Sequence, residues 1–165
     1  MVSEALAALR PRVHIEDPGT LDGGDVVAIG QSIFVGRTAR TNDAGISQLR
    51  AAVAPHGYTV TVVPVDRCLH LKSAVTALDD RTVLLNPAWV PSEIFADYAR
   101  IEVDAAEPHA ANVVSVRGRL IADAAFPATS SRLERRGFDV TRVDASELAK
   151  AEGALTCCSL LISPP

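Results

Sequence analysis

An α/β fold built from a repeated strand–turn–strand–helix–strand unit is what this sequence predicts, and three observations carry that prediction. Apolar residues make up 48% of the 165-residue chain and aromatics only 4%, so the core must be assembled from Val, Ile, Leu and Ala. Short apolar runs, tight turns and a helical stretch recur in the same order three times. Their period of roughly forty residues suggests a propeller or an array. The two ends carry fragments of the same unit. The expectation is one domain over residues 1–165, with three full repeats and a partial repeat at each end.

Each element follows from local chemistry. SEALAALR then RVHIED reads as a helix and a closing strand with no opening hairpin. In the first full unit, DVVAIG and SIFVGRT form a hairpin turning at Gly30, where the missing Cβ permits a sharp reversal. NDAGISQLRAAVAPHG is a helix, because Ile46, Leu49 and Val53 recur at helical spacing and Gly57 lies near its end. YTVTVVPV is the third strand. The second unit runs HLKSAVTAL, the turn DDRT, VLLNP, a short helix from about Pro91 to Tyr98, then RIEVDA. The third is NVVSVRG, RLIADAAF, a helix through SSRLERRG, and DVTRVDA. Residues 154–162 read as a buried opening strand, bounded by Gly153 and by Pro164 and Pro165. Such a ring is left open unless its ends pair.

Composition removes several classes of function. A net charge of −4, with no basic run or aromatic platform, argues against nucleic acid as a partner. The longest apolar stretches fall short of a membrane span. MVSEALAALR lacks the charged, apolar and cleavable order of a signal peptide. Three cysteines, an odd number, make no disulfide framework, and a cytoplasmic location is expected.

Four stretches could carry chemistry. TLDGGDVVAIG sets Asp22 and Asp25 around two glycines at the first hairpin, where a carboxylate can orient a histidine or hold a cation. An ordinary turn is the alternative. CLHLKS opens the second unit, and on a strand Cys68, His70 and Lys72 would share one face. GRTARTN joins a strand to a helix, with Thr41 or Asn42 as N-cap and with Arg37 and Arg40 able to fork onto a carboxylate. Solvated loop arginines are the alternative there. Cys157 and Cys158 on a strand would point to opposite faces, so one of them faces something other than core. An acid, a histidine and a cysteine thus each sit at the start of a unit, which in a ring places them at one inner rim. A thiol needs a base or a cation to become a thiolate, and a histidine needs an acid to fix its ring.

In that order and spacing, LDGGDV, VGRTARTN, CLHLKS, AAN and GALTCCSLLI resemble the dimethylarginine dimethylaminohydrolases. That family belongs to the guanidino-group-modifying superfamily, with arginine deiminases and amidinotransferases. The resemblance implies a pentein-type, five-bladed α/β propeller around a central site. It implies Cys157 as nucleophile, His70 as acid/base, Asp22 as the carboxylate orienting it, and Arg40 as the holder of the substrate's α-carboxylate. Ala151 falls where the family offers a backbone contact to the substrate's amino-acid end, Asp25 and Asn112 match structural positions, and Cys158 should enter the core. The implied substrate is methylated arginine, hydrolysed to citrulline without metal or organic cofactor. Family members carry a further N-terminal portion of about two units, bearing acidic residues that grip the guanidinium. The expectation is therefore a late chain start. A partner supplying the missing blades, such as a second copy, and a fragment that binds without catalysing are the alternatives. A zinc site at Cys68, His70 and Cys157 is a further reading, but their scattered order lacks paired-ligand spacing.

Overall fold

A computed structural model describes residues 2–7, 9, 11–156 and 159–162 of the chain. Three three-stranded sheets follow one another, each built the same way. In the first, β1 (Val26–Ile29) pairs antiparallel with β2 (Ser32–Arg37), α2 (Asp43–Val53) crosses over, and β3 (Thr59–Pro64) returns parallel to β2. The second holds β4 (Val75–Ala77), β5 (Thr82–Leu85) and β6 (Ala99–Glu102), its crossover reduced to one 3-10 turn at Ser92–Phe95. The third holds β7 (Val114–Val116), β8 (Arg119–Asp123), α4 (Pro127–Arg135) and β9 (Asp139–Val143). The three expected repeats are present, with α1 (Val2–Ala7) before them. A further short helix, α5 (Ser146–Lys150), follows them and was not anticipated.

Strand alternation explains how the sheets stack. Ile33 and Val35 of β2 face Ile46 on α2, while Phe34 faces the second unit. Val83 and Leu85 of β5 pack toward the first unit, and Leu84 packs toward Leu120 and Leu133 of the third. The middle sheet is therefore covered on both faces, which is why VLL is an unbroken apolar run with all three residues 0% exposed. Phe34 meets Phe95 at 4.7 Å between ring centroids and Tyr98 edge-on at 5.8 Å, an aromatic seam between the first two units. The opening strands β1, β4 and β7 converge on a cleft of about 420 Å³. The hydroxyl of Thr76 on β4 is buried at that hub with no hydrogen-bond partner among the described residues.

Three expected strands are not formed as read. RVHIED joins no sheet, because the Gln48 side chain takes both polar groups of Glu16: its N–H at 2.8 Å and its carbonyl at 2.8 Å. HLKSAVTAL is a strand only from Val75. Leu71–Ala74 turns into a one-turn helix, α3, because the Leu71 N–H is drawn onto the buried Asp25 carboxyl at 3.1 Å. Cys68, His70 and Lys72 consequently do not share a strand face. Residues 154–156 and 159–162 carry no strand, since the chain leaves α5 through turns that close on Leu148. Cys157 and Cys158 lie outside the described residues.

Candidate active site

The site begins at the turn before β1. Asp22 has extended backbone and caps the Gly23–Asp25 turn, its Oδ1 accepting the Gly24 N–H at 2.8 Å. Oδ2 is left facing the other way, 3.3 Å from His70 Nε2 and 4.0 Å from the Arg40 guanidinium. His70 Nε2 is buried but not aligned for a directed hydrogen bond, so the contact with Asp22 is one of proximity and charge. The Gly24 N–H is the main influence holding the Asp22 carboxyl below the usual carboxylate range. Burial opposes it, and His70 and Arg40 add to it.

His70 is delivered by the start of α3, where it occupies the N-cap position with extended backbone. Its ring lies against Gly24 so closely that a Cβ there would come within 2.7 Å of His70 Cγ. Gly24 is glycine for that close approach. The neighbouring Cys68 thiol donates to the His70 carbonyl at 3.3 Å, and burial pushes its pKa up to about 11. It is a neutral thiol near pH 7, a poor nucleophile and a reluctant metal ligand. Of the loop arginines, Arg37 pairs with Asp43 at 2.6 Å on the surface, whereas Arg40 faces Asp22.

Two buried side chains read as structural turn out to connect the parts. Asp25, 0% exposed, accepts the Thr38 and Thr41 hydroxyls on Oδ2, each at 2.7 Å, and the Leu71 N–H on Oδ1. Asn112 holds Thr156 twice, taking its N–H at 3.0 Å and donating to its hydroxyl at 2.8 Å, and also donates to the Lys72 carbonyl at 3.2 Å. The residue before Cys157 is thereby tied to α3, the helix that His70 precedes. Thr38 escaped the sequence reading and Thr41 entered it only as a candidate N-cap, a place that Asn42 takes, because loop threonines signal nothing more until their acceptor is known. Ala151 stands apart from the other candidates, just after α5, with its N–H donated to Leu148. Its carbonyl is the group it can offer. Close by opens a cleft of about 590 Å³, lined in part by Cys68, Ser73, Asn112 and Gly153.

The arrangement gathers an imidazole, an ionised carboxylate and a guanidinium, the parts of a general acid/base site able to hold an anionic group. The model of the arginine deiminase family matches residues 8–125, well over half the chain, and the chain belongs to that family. Among its relatives is the N(G),N(G)-dimethylarginine dimethylaminohydrolase of Streptomyces coelicolor, 46% identical over 96% of this chain and 61% of that protein. The Pseudomonas aeruginosa protein of the same name is 36% identical over 89% of this chain and 58% of its own. A mutant of that Pseudomonas enzyme solved with citrulline superposes with a TM-score of 0.88 at 34% identity, covering 94% of this chain and 62% of that one. The chain spans about three-fifths of the length of these relatives. Its fold is accordingly a part of a pentein-type α/β propeller. Among the described residues no helix is long and apolar enough to cross a membrane.

Proposed function

We propose that this protein hydrolyses Nω-methylated arginine to citrulline and methylamine or dimethylamine, through a thiouronium intermediate on Cys157. The observation that carries the reading is the Asp22–His70–Arg40 cluster, with His70 Nε2 3.3 Å from Asp22 Oδ2. A guanidinium is cationic and resonance-stabilised, so attack on its carbon needs a strong nucleophile and a ready proton donor. The Cys157 thiolate adds to that carbon, and the C–N bond to the methylated nitrogen breaks as His70 gives the leaving amine its proton. Neutral His70 then takes a proton from water, whose oxygen adds to the same carbon. The C–S bond breaks and the thiolate is restored beside the imidazolium that the water proton has re-formed, while the hydroxyl proton of the new ureido group leaves to solvent, where the released amine takes it up. Asp22, kept ionised, stands beside the imidazole that gives up its proton in the first step. Arg40 pairs with the α-carboxylate, and the Ala151 carbonyl receives the α-ammonium. No organic cofactor or metal enters the scheme, the substrate is the small amino acid, the candidate protein partner is a second copy or the missing N-terminal half, and the setting is cytoplasmic.

The test is citrulline formation from asymmetric dimethylarginine and from arginine, with the wild-type protein, Cys157→Ser and His70→Ala. Turnover of the methylated substrate, lost by at least about 100-fold in both variants, is expected. Preference for arginine would make the protein a deiminase. Binding of citrulline without turnover of either substrate would make it a binding module.

A further inference from the structure

The scheme above gives Asp25 no part, yet this is the most enclosed carboxyl of the site and three donors converge on it. Each of those donors leads in one further step to a different site residue. The Thr41 oxygen that donates to Asp25 also accepts the Asp22 N–H at 3.0 Å. The Thr38 oxygen that donates to Asp25 accepts the Arg40 N–H at 3.1 Å. The third donor, Leu71 N–H, belongs to the residue directly after His70. Gly36 keeps the junction open: a Cβ there would stand 2.9 Å from Leu71 Cβ and 3.0 Å from Asp25 Oδ1.

We infer that Asp25 is the positioning residue that sets the acid, the imidazole and the carboxylate-binding arginine in register with one another. A hydroxyl that both donates and accepts transmits position, because its oxygen is fixed at both ends. The two threonines are therefore separate relays, Thr41 toward Asp22 and Thr38 toward Arg40. Three segments distant in sequence meet at this one group and keep their spacing through it. Misplacement by about 1 Å in such a constellation can cost a factor of about 100 in rate.

The inference rests on the proposed reaction, and its test separates the two. Thr41→Val removes only the relay to Asp22. It is expected to lower kcat by about 10- to 100-fold with KM changed little, and to move the His70 ring resonances in NMR spectra. Thr38→Val removes only the relay to Arg40. It is expected to raise KM about 10-fold with kcat changed little, and to shift the Arg40 Nε–Hε cross-peak but not the His70 ring. Thr41→Ser and Thr38→Ser keep the hydroxyl and restore both quantities, and Asp25→Asn shows both defects at once. If the wild-type protein turns nothing over, the reaction falls, and the two resonances still decide the role of Asp25. If both valine variants disturb the same quantity, or if all variants lower only the melting temperature, Asp25 is a packing residue and the inference is overturned.

Discussion

Asp22 has two oxygens with different duties, one bound to its own turn and one turned toward His70 and Arg40. Its folded-state pKa is depressed, so its contribution is present above the unfolded-chain value and is lost as pH falls through the lower folded value. The midpoint of its carboxyl-carbon NMR titration is expected below the usual carboxylate range. In His70→Ala it should recover only part of the way, because the Gly24 N–H is the main cause. Full recovery would instead make the imidazole the dominant influence. At this scale the sequence was half legible. Asp22, His70 and Arg40 could be named because LDGGDV, CLHLKS and GRTARTN are distinctive together. Asp25 looked structural, since nothing in a sequence tells which hydroxyls will find a buried carboxyl.

The β2–α2 connection shows how one side chain organises an element. Asn42 caps α2 by accepting the Gly45 N–H at 2.8 Å, accepts the Thr20 N–H at 3.0 Å, and donates to the Pro18 carbonyl at 2.8 Å. One residue thus starts the helix and anchors the strap leading to Asp22. Asn42→Ala should cost about 1–2 kcal/mol in denaturant unfolding, the upper part of the range for a lost cap. A loss of a few tenths would mean that the anchoring bonds carry nothing. Helix α2 was readable because Ile46, Leu49 and Val53 sit at helical spacing, and the hairpins because apolar runs flank tight turns. HLKSAVTAL misled because its apolar pattern suits a strand, whereas a carboxyl from the preceding unit captures the Leu71 N–H and winds one helical turn. Tertiary contacts overrode local preference there. RVHIED likewise met a glutamine side chain in place of a neighbouring strand.

The three sheets stand as sectors whose cores lie between them, so stability is shared across their seams. Phe95, 0% exposed and tilted against Phe34, is the largest fully buried side chain in the first seam. Phe95→Ala is expected to cost about 3–5 kcal/mol and to lower the thermal midpoint of both flanking units together. Separate transitions for the two units would show that the seam does not couple them. The repeat itself was the most legible feature of the sequence, because every copy presents the same ordered punctuation of runs and turns. The hub where β1, β4 and β7 converge was less so, since facing depends on register. There the hydroxyl of Thr76 is buried with no partner among the described residues, which makes it a natural target for replacement. Thr76→Val keeps the shape and removes a buried hydroxyl that bonds to none of the described residues, so it should strengthen the protein by about 1 kcal/mol. Calorimetry would register this as a melting point higher by about 2–4 °C, and an unchanged or lower value would mean that the hydroxyl is satisfied in solution.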